Sequence, residues 1–464
     1  MQKIIPYILT ILFSAVATFY VNAQETSKKT EWTLQDCIEY AQENNLQLLR
    51  NRNRIHISEN NLKQAKYDRL PIVSGSTSWN NNYGRNVNYV TNTYTDENSS
   101  NINYGIGTSV NIFNGFRKKH EIEKQEIDLQ ASLLDIETAR EDLALNITSY
   151  YLNILYAKEQ LQVAKDNLSI IEAQMNRINQ LVEAGKLPKG DLLEQQSQVA
   201  KNQSTIVEAE NRLSLAYLDL YQALDIPYDN AFTIIDPDVE EIDQADATLI
   251  NYTSTYDEII EQRPSMKSYN YQLESAEKSI DIAKSNYYPT LGLSANIGSG
   301  YSNLRYNYVP DPSNPGQFIQ GDKMSFADQY DLNLSKSWGL NLNIPIFNKF
   351  QTRTAVRNTK LQMEDVKIQQ EIEYNRLYKE LQQAYTNAVL AIKKYEAQRM
   401  SLASLEETFR YVEEKYQLGK VSNFDYNESL HTLTTAKSDM LQAKYEYIFR
   451  TKILEFYSGE PLKL

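Results

Sequence analysis

Apolar residues recur at alternating steps of three and four from Leu133 through Ile136, Leu143, Ile147, Tyr150, Ile154, Ala157, Leu161, Ala164, Leu168, Ile171, Met175 and Ile178 to Val182, with Arg140 the one break. A seam of period 3.5 held over about seven heptads predicts a helix packed on a neighbouring helix with left-handed supercoiling. A second such seam runs from Tyr374 through Leu381, Ala388, Tyr395, Leu402 and Phe409 to Tyr416. Alanine is frequent in it, so the helices can approach closely. Elsewhere the period falls to two. Tyr104, Ile106, Thr108, Val110 and Ile112 alternate with Gly105, Gly107, Ser109 and Asn111, and the pattern returns around residues 289–298 and 338–347. A further strand is expected at 71–83, although it alternates poorly.

The chain is one unit used twice. Sliding it by 234 residues brings Phe113-Asn114-Gly115-Phe116 onto Phe347-Asn348-Lys349-Phe350, Gly185-Lys186 onto Gly419-Lys420, Asp191 onto Asp425 and Glu194 onto Glu428. Leu70-Pro71 meets Tyr288-Pro289 at an offset of 218. Each unit therefore reads helix, strand, loop, strand, very long helix, tight turn, helix. The first repeat covers 24–227, with a long helix over 116–184, a tip at 185–190 and a helix over 191–224. The second covers 251–464, with a long helix over 350–418, a tip at 419–422 and a helix over 423–458. An acidic linker, 228–250, joins them; the stretch 225–246 holds eight acids and no base and reads as a solvated belt at mid-height. The 66 residues from Phe116 to Leu181 make about 99 Å of helix. The helices expected over 34–68 and 191–224 together match that length, which predicts that they stack end to end beside it.

Strands of about ten residues with one oily and one wet face are the pattern of an outer-membrane barrel. Four strands cannot close such a barrel, because about eight are the minimum and open edges cannot face lipid. Oligomerisation follows. Two chains would make the smallest, plugged barrel, whereas three make twelve strands and leave a lumen. The polar stretches 80–103 and 299–330 then form outer loops, and the helices enter the periplasm. The fold class is thus mainly α with membrane β: antiparallel coiled-coil helices below four strands per chain.

Composition narrows the remaining choices. The chain has 464 residues with 47 Lys+Arg against 60 Asp+Glu, a net charge of −13, which removes a phosphate-backbone binder, and its single Cys removes a disulfide scaffold. Cys37 reads as a buried small hydrophobe. Lys3 and the apolar run 4–21, followed by Val21-Asn22-Ala23, read as a signal peptide over 1–23, so the mature chain is exported. Proline is absent from 72–187 and from 346–460, stretches that compact domains rarely tolerate. Catalysis has no support: His56, His120 and His431 are isolated, with no metal-ligand spacing, nucleophile elbow or phosphate loop. No enzyme activity, cofactor or metal is expected, and no nucleic-acid partner.

These features resemble the TolC-type outer-membrane efflux ducts over nearly the whole mature chain. The motifs that carry the resemblance are the paired tips, Gly185-Lys186-Leu187-Pro188-Lys189-Gly190-Asp191 and Tyr416-Gln417-Leu418-Gly419-Lys420-Val421-Ser422-Asn423-Phe424-Asp425. The resemblance implies a homotrimer whose twelve-stranded barrel continues into a periplasmic α-helical tunnel, closed below by inward-curling hairpins where a periplasmic adaptor and an inner-membrane transporter dock. It places Asp425 and Glu428 at an acidic constriction, and Asp191, with Glu194 beside it, where the neighbouring hairpin offers a carboxylate to Tyr416. Gly185 and Gly419 are the tip turns. Asp425 and Glu428 share a helix face, which threefold symmetry would stack into two carboxylate rings. Like charges about 6 Å apart repel by roughly 3 kcal/mol at an effective dielectric near 20, so such rings favour cations. Capping and the helix dipole also account for acids at Asp191, Glu194 and Asp425, and packing accounts for Tyr416. Where some relatives carry a basic tether, Val421 stands here, so the lock is expected to be weaker or to use Lys420. The competing class is a barrel-anchored periplasmic coiled-coil tether through which nothing passes.

Overall fold

The computed structural model describes residues 31–88, 93–227, 232–237, 256–460 and 462. The signal peptide and most of the acidic linker lie outside the described residues. In chain order the elements are β1 (Glu31–Trp32), α1 (Leu34–Asn44), α2 (Leu46–Tyr67), β2 (Ile72–Asn82), β3 (Asn86–Asn88), β4 (Thr93–Thr95), β5 (Ser99–Asn114), α3 (Arg117–Glu183), α4 (Lys189–Leu224), β6 (Thr233–Ile234), α5 (Tyr256–Gln262) and α6 (Pro264–Lys284). After a 3-10 turn at Ser285–Tyr287 come β7 (Thr290–Ser302), β8 (Tyr306–Pro310), β9 (Phe318–Lys323), α7 (Phe326–Leu332), β10 (Ser335–Asn343), α8 (Gln351–Gln417) and α9 (Asn423–Tyr457). The repeat is legible in these bounds. A shift of 234 carries α3 onto α8 at both ends and the start of α4 onto the start of α9, and a shift of 218 carries the starts of α2 and β2 onto those of α6 and β7. Among the described residues no helix is long and apolar enough to cross a membrane.

The single helix expected over 34–68 is two helices. Asn45 between them is extended (φ −60°, ψ 128°), its N–H still donating to the Ala41 carbonyl. Its Nδ2 donates to the Ala223 carbonyl at 3.1 Å, and the Leu46 N–H donates to Asp225 Oδ2 at 2.9 Å. The C-terminus of α4 thus supplies the groups that satisfy a broken helix. Outer loops were expected over 80–103 and 299–330. They hold the paired strands β3/β4 and β8/β9 and the helix α7.

The chain forms two compact units. The first comprises the described parts of Met1–Leu46, Glu141–Ile250 and Gln383–Leu464. Its seam residues are buried or half-buried, with Ile147, Ile154 and Ala388 fully buried. One apolar cluster gathers Ile147, Ile154, Leu220, Leu224 and Ile448 with Cys37, and another gathers Ile171, Val199, Leu402, Phe409, Tyr426 and Leu430. Each fully buried Ile or Leu contributes about 1.5–3 kcal/mol. Polar side chains on α3 interrupt the apolar packing at intervals of seven. Gln160 exchanges hydrogen bonds with Ser438 (3.3 and 3.2 Å). Asn167 donates to Asn202 (2.8 Å) and accepts from Thr434 (3.1 Å), and Gln174 reaches Tyr416. Gln160, Asn167 and Gln174 each stand one residue before a seam position (Leu161, Leu168, Met175), and satisfied polar groups repeated beside the seam help to fix helix register.

The second unit comprises the described parts of Gln47–Arg140 and Asn251–Gln382. Its centre is an antiparallel sheet in the order β10-β7-β5-β2, so the outer strands come one from each repeat. Register sorts the two faces. Trp79 pairs with Ile102, Ile106 with Ile297, Val110 with Leu293, and Leu293 with Leu340, all on one face. Ser76, Gly105, Gly298 and Ser335 form a cross-strand row on the other. β2 obeys the same rule. Val73, Gly75, Thr77 and Trp79 share the apolar face while Ser74, Ser76, Ser78 and Asn80 share the polar one, and only Ile72 at the foot disturbs it.

α7 packs on the upper end of the apolar face. Tyr330 stacks on Tyr104 (5.8 Å, 11°), and Phe326 lies against Tyr104 and Tyr301. β10 stops at the Ser335–Gly298 pair, leaving the end of β7 paired with β5 but without a strand on its other side. Side-chain amides replace it: Gln329 accepts from the Ser302 N–H (2.8 Å) and donates to its carbonyl (2.9 Å), and Asn333 donates to the Gly300 carbonyl (2.6 Å).

The strand-to-helix junctions are built alike and strained alike. Phe113 meets Phe116 edge-on at 5.2 Å, and Phe347 meets Phe350 at 5.4 Å. Two consecutive left-handed residues turn the chain in each: Gly115 and Phe116 (φ 65° and 65°), Lys349 and Phe350 (φ 52° and 61°). A left-handed L-residue costs about 1–2 kcal/mol. Lys349→Gly should therefore raise stability by about 1 kcal/mol. Gly115→Ala should lower it by about 1–3 kcal/mol, because the new Cβ would fall on the Ser285 carbonyl oxygen and 2.8 Å from Tyr288 Cβ. Thermal unfolding in detergent reads both, and the account requires the signs to be opposite.

Candidate functional site

The two tips share one backbone design. At the end of α3 the Gly185 N–H donates to Val182 (2.9 Å) and the Lys186 N–H to Leu181 (2.8 Å); at the end of α8 Gly419 donates to Tyr416 (3.0 Å) and Lys420 to Lys415 (2.9 Å). This pair of bonds closes a helix through a left-handed residue, which glycine adopts without a Cβ penalty. Gly185 (φ 71°) and Gly419 (φ 67°) supply it.

The helices leave the turns differently. α4 begins behind Pro188 with no side-chain cap, so Asp191 in its first turn meets bare N–H groups and the positive helix end. α9 begins behind Ser422, whose Oγ accepts from the Asp425 N–H (3.1 Å) and donates to Asp425 Oδ2 (2.7 Å). Asp425 is thus tied to its own helix start, while its carboxylate and that of Glu428 stand exposed. Glu194 is exposed and Asp191 half-buried.

Tyr416 is the most heavily engaged tip residue. Its hydroxyl accepts from Gln174 Nε2 and donates to Asn423 Oδ1 (3.3 Å), and its ring stacks on Tyr426 at 4.6 Å. Arg177 lies 5.4 Å from the ring centre, and its guanidinium donates to the Gln417 carbonyl (3.4 Å). Burial raises the Tyr416 pKa above its ordinary value against the Arg177 charge and the Gln174 hydrogen bond, and the Asp191 carboxylate adds to the rise. Tyr426 is pushed up to about 12, by burial first and then by Glu413 and Tyr416, with Arg177 opposing. Both hydroxyls therefore remain protonated donors at any physiological pH.

Within one chain, then, the hydroxyl of Tyr416 bonds Gln174 and Asn423, and Asp191 reaches it only through its field. Lys420 is exposed, and the cation against the Tyr416 ring is Arg177. Sequence reasoning missed Gln174, Arg177, Asn423 and Tyr426. Gln174 carried a signal, being the third polar residue at sevenfold spacing after Gln160 and Asn167. Between the tips the fully buried Gln195 donates to the Ile171 carbonyl (3.4 Å) and accepts from Asn427 (3.3 Å). Among the described residues no cluster of acids, His and Cys could hold a metal. The arrangement offers exposed acids and a neutral polar clasp, which can sort ions and hold helices together but cannot make or break covalent bonds.

The protein family described as "Outer membrane efflux protein" matches residues 37–225 and 255–460. The alkaline protease secretion protein AprF of Pseudomonas aeruginosa is 21% identical over 332 residues, 71% of this chain and 64% of that protein. The cation efflux system protein CusC of Escherichia coli is 23% identical over 394 residues, 82% of this chain and 76% of the relative. A solved structure of CusC superposes with a TM-score of 0.74 at 18% identity, covering 92% of each chain.

Proposed function

Because this chain belongs to the outer membrane efflux protein family, we propose that it is the passive exit duct of a tripartite efflux or type I secretion system, built from three copies and opened at its helical tips by a periplasmic adaptor and an inner-membrane transporter. The protein is an outer-membrane channel with a periplasmic helical extension, of a family whose members are not enzymes. Members of the family form trimers that act with efflux partners.

One observation carries the reading. The four-stranded sheet leaves β2 and β10 unpaired at its edges and its apolar face uncovered below α7, with Trp338 76% and Leu340 59% exposed just where lipid would lie. Unpaired edges cannot face hydrocarbon, so β2 of one copy pairs with β10 of the next, and three sheets close twelve strands. At the tips, Asp425 and Glu428 form the acidic constriction, with Asp191, Glu194 and Tyr416 in the contacts that hold it. Leu193, Leu418 and Phe424 are exposed there and offer an adaptor apolar footing.

Planar-bilayer recording of the full-length protein tests this. A duct gives discrete, cation-selective, divalent-blockable currents. A coiled-coil tether gives none, and a silent membrane containing correctly inserted protein would reject the proposal.

A further inference from the structure

The four strands of the sheet hold 49 residues, and only Lys336 among them carries a charge. It pairs with Ile297, on the apolar face. The strands' polar face therefore carries no charge of its own, between Ser74 and Asn82 on β2 it holds nothing but Ser and Asn, and a charge first meets it at the upper end, where Arg305 lines a cavity with Asn80, Asn82, Asn101 and Asn103. It is also flat. Three asparagines on this face of β5 and β7 each have a glycine opposite on the neighbouring strand, Asn103 opposite Gly300, Asn296 opposite Gly107 and Asn111 opposite Gly292, whereas Asn101 stands between Asn80 and Ser302. The amides lie down into those gaps. A Cβ on Gly107 would sit 2.5 Å from Asn296 Oδ1, and one on Gly300 2.7 Å from Asn103 Oδ1. Amide and hydroxyl groups both donate and accept, so such a wall solvates either sign of ion equally.

Resting on the duct reading above, we propose that the strand wall of the duct below Arg305 is charge-blind: it sieves by size alone, passes cationic, anionic and zwitterionic cargo alike, and leaves charge selection to the helical section and the Arg305 rim. A fixed charge beside a low-dielectric wall would raise the local concentration of one sign of ion about 10–1,000-fold, and the polar face of the strands below Arg305 has none.

Thiol labelling reads the local field without depending on whether the tips are open. Ser76→Cys and Ser294→Cys each place a thiol on the polar face, in different strands, and Thr77→Cys places one on the apolar face. Each full-length variant in lipid vesicles is reacted with a trimethylammonium-bearing and a sulfonate-bearing methanethiosulfonate, with rates normalised to a small free thiol. The native Cys37 is fully buried, and the unsubstituted protein gives its background. The expected result is that both polar-face thiols react, with normalised cation and anion rates within about threefold of each other, while Thr77→Cys stays silent, against a bias of tenfold or more for a charged wall. Such a bias in either direction overturns the charge-blind wall and leaves the duct standing. Failure of both reagents at both polar-face positions overturns the water-filled bore itself. Two positions keep the test valid if one variant does not insert.

Discussion

Neutralising the tip acids, Asp425→Asn with Glu428→Gln, is expected to lower the cation-over-anion permeability ratio at least tenfold and to abolish block by divalent cations. The size follows from the charges. Carboxylates about 6 Å apart in a threefold ring interact at roughly 3 kcal/mol at an effective dielectric near 20, and each 1.4 kcal/mol of that field corresponds to about a factor of ten in local ion preference. The choice of substitutions separates charge from fold. Asp425 Oδ2 accepts from the Ser422 hydroxyl at 2.7 Å, and the Asn amide oxygen keeps an acceptor in that place, so the start of α9 survives. Asp425→Ala would remove charge and cap together. Reversal potentials across a salt gradient check the prediction, and unchanged selectivity would return Asp425 to the role of a capping residue alone.

Tyr416→Phe is expected to raise the open probability of the tip about tenfold. The ring and its stack on Tyr426 at 4.6 Å are kept, and only the hydroxyl that joins Gln174 to Asn423 is lost. Gln174 is 7% exposed, so its amide is left buried without this acceptor, a loss of about 1–3 kcal/mol from the clasped state. Opening the tip hydrates the amide, which is why the loss falls on the closed form. Gln174→Leu removes the buried amide while the Tyr416 hydroxyl keeps its bond to Asn423, and should have the smaller effect. Single-channel records of the two variants separate a clasp from simple packing, because packing alone predicts almost no change for Tyr416→Phe.

Much of this architecture could be read from the chain because periods report faces. The 3.5-residue seam around Ile147 and Ile154, and the alternation in 104–113, are local patterns that tertiary context did not override. Paired glycines in matching tips located the turns for the same reason, since only a left-handed residue closes a helix that way. The features missed are those decided by distant residues. The break at Asn45 depends on Ala223 and Asp225, far along the chain. The alternation of β2 was masked by Ile72 and Val73 standing side by side, and only register with β5 shows that Val73 belongs to the apolar face. The left-handed Phe116, Lys349 and Phe350 are invisible to propensity, which reserves that conformation for glycine.

α7 was hidden in what reads as a polar loop. Its signal was present in the capping pair Ser325 and Asp328 and in the spacing of Phe326 and Tyr330, but seven residues are too few to outweigh their surroundings. At the tips, the repeat alone sets Asp191 and Glu194 in register with Asp425 and Glu428, and their proposed role comes from the resemblance. The clasp comes from neither, because Gln174 and Arg177 reach Tyr416 from another helix 242 and 239 positions earlier in the chain.

The requirement beneath all of these expectations is that β2 and β10 find partners in other copies. Mass measurement of the detergent-solubilised full-length protein addresses this directly. Three chains per particle, each of up to 53.6 kDa, is the predicted result. A folded, detergent-soluble single chain that does not assemble at any concentration would contradict it, since its sheet edges would then be stable unpaired.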